Sequence, residues 1–127
     1  MHETRTSMTN ATLRGITVDC ADPESLAHFY RELTGFGIVF ASGEYVVLAG
    51  DAGWALGFQK VAGYRAPTWP SQDVPQQLHL DFRVDDLDEA ESRVLALGAD
   101  KADHQSDTER YRVYLDPAGH PFCLTVG

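Results

Sequence analysis

The feature that most constrains this chain is an internal echo. Two helix-like stretches each open on an aspartate, Asp22 and Asp86. Two later stretches, "DAGWALGF" at 51–58 and "DPAGHPFCL" at 116–124, share an Asp, Ala and Gly ahead of a strand-like run. A recurrence of this kind marks a supersecondary unit used twice, each copy needing the other to bury its surface. In the first copy, "LRGITVDC" (13–20) alternates, with Ile16, Val18 and Cys20 on one face and Gly15, Thr17 and Asp19 on the other, as a strand does. "DPESLAHFYRELTG" follows with helix punctuation: Asp22 as N-cap, Pro23 at the first helical position, Glu24 in the first turn and Gly35 at the end. Leu26, Phe29, Tyr30 and Leu33 make an apolar stripe at helical spacing. Three strand-like runs complete the copy, "GIVFA" (37–41), "YVVLA" (45–49) and "WALGFQKV" (54–61), separated by turn residues.

Residues 62–76 hold three prolines and no period, and read as a linker or ordered loop. The order then recurs: strand "QLHLDFRV" (77–84), helix "DLDEAESRVLALG" (86–98) with Ala90, Val94 and Leu97 inward, a weak strand "DKADHQS", and the strands 110–116 and 120–126. The chain is therefore two βαβββ modules, an α+β fold. Two modules side by side predict a cupped eight-stranded mixed sheet with helices outside and a pocket on the concave face. Residues 1–12 read as a flexible tail, and 13–127 as a single domain of two modules, 13–61 and 77–127, joined by the linker.

Charge narrows the partners. Ten basic against 19 acidic residues leave a net charge of −9, which excludes phosphate-backbone binding and disfavours anionic membranes. No apolar run approaches the roughly 20 residues that span a bilayer, and "MHETRTSMTN" has no apolar leader core. Cys20 and Cys123 fit no zinc or redox spacing and suit a reducing cytoplasm as free thiols.

The stretches "ITVDCADPESLAHFYRELTGF", "WPSQDVPQQLHLDFRVDDLDEAESRVLALGA" and "YLDPAGHPFCL" resemble the vicinal oxygen chelate superfamily, its glyoxalase-like subgroup in particular. The superfamily includes glyoxalase I, extradiol dioxygenases and bleomycin-resistance proteins, so one scaffold carries many chemistries. The resemblance implies a homodimer. It also implies four metal-ligand positions: a histidine on the first strand and a carboxylate or glutamine on the last strand of each half. By alignment of the two halves these positions are Gly15, Gly57, His79 and Cys123. Two glycines offer no donor, and a zinc site takes three or four protein ligands. The expectation is that this metal site is absent and no cofactor is bound. The alternative is a displaced divalent metal (Zn, Ni, Fe or Mn) with His79 as a ligand.

His79, Asp81 and Arg83 share the polar face of their strand, opposite Leu78, Leu80, Phe82 and Val84. His79 and Asp81 read as pocket residues, with acid–base work by His79, Asp81 or Cys123 as the catalytic alternative. Arg83 and Asp19 occupy equivalent positions and read as a charge pair joining the halves, or Arg83 as an anion anchor. Thr17, Asp19, Gln59, Cys123, Trp54, Trp69 and Tyr111 complete the expected ligand-binding set. The functional expectation is a cytoplasmic, metal-independent protein that binds a small apolar or aromatic molecule, such as a drug or metabolite. The alternative is a glyoxalase-like lyase, isomerase or dioxygenase.

Overall fold

The computed structural model describes residues 12–126; the tail assignment falls, except for Thr12, outside the described residues. The elements are β1 (Gly15–Cys20), α1 (Pro23–Thr34), β2 (Gly37–Ala41), β3 (Tyr45–Ala49), β4 (Ala55–Lys60), β5 (Leu80–Arg83), α2 (Leu87–Ala96), β6 (Asp100–Lys101), β7 (Tyr111–Leu115) and β8 (Pro121–Thr125). Both βαβββ modules are present. Their sheets have the same order, β1-β4-β3-β2 and β5-β8-β7-β6, with the first and last strand of each module paired in parallel. Two four-stranded sheets result, and among the described residues the ladder is not continued from one to the other.

Local chemistry sets the helix ends. The Asp22 carboxylate accepts from the Ser25 amide at 3.3 Å, and Gly35 closes α1 in the left-handed region at φ 77°. Asp86 caps α2 in the same way, accepting from the Glu89 amide at 3.1 Å. Tyr114 and Lys101 both reach the Glu91 carboxylate on α2, at 2.7 Å and 3.0 Å. The Tyr114 hydroxyl bond, ahead of Lys101, holds that carboxyl below its ordinary range.

The apolar stripe of α1 lies at the junction of the sheets. Tyr30 stacks on Phe58 of β4, with centroids 5.5 Å apart, and touches Phe82 of β5 and Phe122 of β8. Leu26, Phe29 and Tyr30 are buried together with Leu48, Leu56, Val94 and Leu124, so both halves share one core. The first helix is thus not merely an outer layer: its aromatic side chains reach both sheets. Polar bonds reinforce the join. Tyr30 donates to the buried Asp116 carboxylate at 2.6 Å, and Asp116 in turn accepts from the Ala118 and His120 amides. Arg93 of α2 donates to the Glu32 carbonyl of α1 at 3.0 Å.

The proposed charge pair between Asp19 and Arg83 is corrected by this topology. β1 is hydrogen-bonded to β4 and β5 to β8, so equivalent positions in the two halves are not cross-strand neighbours. Arg83 is largely exposed and lies 4.0 Å from Asp85 instead. The Asp19 carbonyl meets the His120 ring nitrogen at 2.6 Å, which gives the seam a hydrogen bond rather than an ion pair.

Candidate functional site

The parallel registers place the four family positions on matching faces. Thr17 lies opposite Gly57 in the first half, and Asp81 opposite Cys123 in the second. Alternation therefore puts Gly15, Thr17 and Gly57 on the polar face of one sheet, and His79, Asp81 and Cys123 on the corresponding face of the other. What those faces hold differs. A Cβ at Gly15 would come within 2.5 Å of the Ala55 carbonyl oxygen, and one at Gly57 within 2.5 Å of the Tyr45 hydroxyl. Tyr45 leans across Gly57 and its hydroxyl lies 3.4 Å from that of Thr17. The first half has no donor at either family position; backbone fills the space at Gly15, and the end of the Tyr45 side chain fills it at Gly57. The residues present do not fit a metal site shared by the two halves.

The second half is built otherwise. His79 sits one residue before β5 and its Nε2 lies 3.4 Å from Asp81 Oδ1. A ring nitrogen of His79, a carboxylate oxygen of Asp81 and Cys123 Sγ all lie within 4.8 Å of one another. His79 and Asp81 are solvent-accessible, with side chains 41% and 61% exposed, whereas Cys123 is buried at 8%. Burial, then the neighbouring Asp81 carboxylate, pushes the Cys123 thiol up to about 11. Cys123 packs with Ala102 and Val113, under Trp69 and Tyr111. Trp69 comes from the linker and meets His104 edge-on at 5.3 Å.

Two cavities adjoin this cluster. One, of about 500 Å³, lies on the second sheet and is lined by Trp69, His79, Asp81, Tyr111 and Cys123 among others. The other, of about 450 Å³, opens between β1 and the linker, with Thr17, Asp19, Tyr64, Arg65 and His120 in its wall. Gln76, His79 and Pro121 line both, so the cavities share a wall. The Gln76 side-chain oxygen is buried there without a hydrogen-bond partner. Tyr64 donates to the Ala118 carbonyl at 2.8 Å and lies 3.1 Å from the His120 ring, fixing that wall.

Of the residues singled out from sequence, His79, Asp81, Cys123, Trp69 and Tyr111 come together around the larger cavity, and Thr17 and Asp19 join His79 at the smaller. Gln59, Arg83 and Trp54 line neither. Sequence reasoning missed Gln76, Tyr64, Arg65 and His120, which reach the cavities from the linker and a turn where no periodicity marks a face. It named His79, Asp81 and Cys123 as acid–base candidates but considered only His79 as a metal ligand. The signal for Asp81 beside it was present: Asp81 shares a strand face with His79.

A glyoxalase-like domain model matches residues 15–125, and the chain belongs to the glyoxalase-like family of the vicinal oxygen chelate superfamily. No curated protein matches it in sequence. Among solved structures it is similar to a glyoxalase/bleomycin resistance protein/dioxygenase family enzyme from Burkholderia phytofirmans, with TM-score 0.70 and 20% identity over 91% of this chain and 98% of that one. It is similar also to a mutant of the fosfomycin resistance protein FosX from Listeria monocytogenes, complexed with Mn(II) and 1S,2S-dihydroxypropylphosphonic acid. That match has TM-score 0.69 and 19% identity and covers 94% of each chain. At these identities the likeness establishes the fold. No helix among the described residues is long and apolar enough to cross a membrane.

Proposed function

We propose that the chain binds a small apolar or aromatic molecule on the polar face of its second sheet, without a metal site spanning both halves. The observation that carries this reading is the Gln76 side-chain oxygen, buried without a partner in the wall common to both cavities. A buried acceptor left unpaired costs about 1–3 kcal/mol, which a ligand N–H or O–H in the cavity recovers. Trp69 and Tyr111 offer aromatic surface beside it. The ligand is accordingly a compact aromatic or apolar body carrying a hydrogen-bond donor, which fits a drug- or metabolite-binding role. Two free cysteines agree with a reducing cytoplasm. The homodimer stays part of the proposal, with Ile38, Val39 and Phe40 exposed on edge strand β2 as the surface available to it.

A thermal-shift screen of aromatic amines, phenols and amides on chelator-treated protein tests this reading. The expected result is a raised melting temperature for at least one compound, with binding weakened about tenfold by Gln76→Leu, one buried hydrogen bond's worth. Hits unaffected by both Gln76→Leu and Trp69→Ala, or no hit at all, would overturn it. One observation favours a second reading as an enzyme of lyase, isomerase or dioxygenase type: the proximity of His79 to Asp81, which suits proton transfer on a bound substrate.

A further inference from the structure

We propose that His79, Asp81 and Cys123 form a site for one thiophilic divalent cation, zinc above all, held by the second half alone. The inference shares its location with the ligand-binding reading and goes beyond it. It differs from the metal site that the family resemblance implies, because the first half contributes nothing: its two positions are glycines, one against the Ala55 carbonyl and the other under Tyr45.

Three arguments carry it. The first is geometric. Asp81 and Cys123 lie directly opposite each other on paired parallel strands, and His79 is two residues before Asp81. One donor atom from each lies within 4.8 Å of the other two. Zinc bond lengths of about 2.0–2.3 Å put tetrahedral donors roughly 3.5 Å apart. His79 Nε2 and Asp81 Oδ1, at 3.4 Å, already have that spacing. Both side chains are exposed enough to turn, while buried Cys123 supplies the fixed point. The second is the donor set. One imidazole, one carboxylate and one thiol select a borderline-soft ion over magnesium, calcium or manganese, which prefer all-oxygen or oxygen-rich shells. The third is the vacant side. The cluster faces a cavity of about 500 Å³, so a three-ligand ion keeps a fourth position for water or a ligand, the arrangement of a reactive zinc centre. Binding displaces the Cys123 proton to solvent, so one proton is released for each ion bound.

The test is cobalt(II) substitution in the untagged full-length protein after chelator treatment, followed by zinc competition. The expected result is a 1:1 complex with visible d–d bands and a near-ultraviolet thiolate-to-cobalt charge-transfer band, both removed by zinc. Cys123→Ser should abolish the charge-transfer band, and His79→Ala or Asp81→Asn should weaken zinc binding at least tenfold. Far-ultraviolet circular dichroism of each variant shows that the fold is kept. No charge-transfer band in the parent protein, or zinc affinity unchanged in Cys123→Ser, would overturn the proposal. Because the ligand screen uses metal-free protein, its failure and the failure of this proposal are separate results.

Discussion

The two halves share a backbone plan and differ in what they hang on it. Each has a capped helix, a parallel pairing of first and last strands, and a turn ending in a glycine with positive φ, 85° at Gly53 and 89° at Gly119. In the first half the positions where the family resemblance implies ligands are glycines overlain by a carbonyl and a tyrosine. In the second they are His79 and Cys123, with Asp81 close to both. The aspartates that open the two turns also diverge. Asp51 is exposed, while Asp116 is buried and ties its turn to Tyr30 of α1. The polar face of one copy is filled by packing contacts, and that of the other groups an imidazole, a carboxylate and a thiol. Duplication permits this division because the core faces, which set the fold, are independent of the polar faces, which set the chemistry.

Restoring the missing donors is the most direct attack on that division. Gly15→His puts a Cβ 2.5 Å from the Ala55 carbonyl, backbone that cannot turn aside. It should cost about 3 kcal/mol of stability, the upper end of overpacking penalties, by forcing β1 away from β4. Gly57→Glu meets only the far end of Tyr45. Its cost should be about 1 kcal/mol, and Tyr45→Ala in the same chain should remove most of it. Urea denaturation of the three variants checks the ranking. Equal costs at Gly15 and Gly57 would show that the first-half face is not closed in the way described.

Much of this division was legible in the sequence. The strands 37–41 and 45–49 coincide with β2 and β3, and both aspartate caps stand where the punctuation placed them. Local spacing suffices there because alternation and capping are local phenomena. The equivalence of Gly15 with His79 and of Gly57 with Cys123 was legible too, and the strand registers repeat it. Less legible was everything that depends on distant contacts. Tyr30 and Asp116 are 86 residues apart, and Tyr64 and His120 are 56 apart. No period in either segment signals the bond. Nor does alternation say which strand lies beside which. That is why Asp19 and Arg83 looked like partners, and why the strand pairing that sets Asp81 directly opposite Cys123 was not legible although both residues were site candidates.

The join between the halves gives the second prediction. Tyr30→Phe removes the only side-chain donor to Asp116 among the described residues and leaves a buried carboxylate short of one bond. The expected loss at neutral pH is about 2 kcal/mol. Burial raises the Asp116 carboxyl above its ordinary value of 3.8, while the Tyr30 bond lowers it. A carboxyl raised in the folded state favours folding below its unfolded value, and that contribution is lost as pH rises through the folded value. Losing the Tyr30 bond raises it further. The stability deficit of Tyr30→Phe should therefore be smaller near pH 4 than at pH 7. A pH-independent deficit would mean that the hydroxyl acts by packing alone, and that the halves are joined by their aromatic core rather than by this bond.

The smallest expected effect separates the two cysteines, one on each side of the comparison. Both thiols are pushed up to about 11 by burial. Cys20 lies in the shared core at 1% exposure, while Cys123 borders the cavity with Asp81 as its charged neighbour. Iodoacetamide at pH 8 should label Cys123 slowly and Cys20 more slowly still, because only a small thiolate fraction is present in either. Asp81→Asn removes the negative charge that favours the neutral thiol, so its Cys123 should react several-fold faster with stability unchanged. Mass-mapped labelling rates at a series of pH values check this. If Asp81→Asn left the Cys123 rate untouched, the carboxylate and the thiol would not be in electrostatic contact in solution. The grouping of His79, Asp81 and Cys123 on the second half would then lose its physical basis.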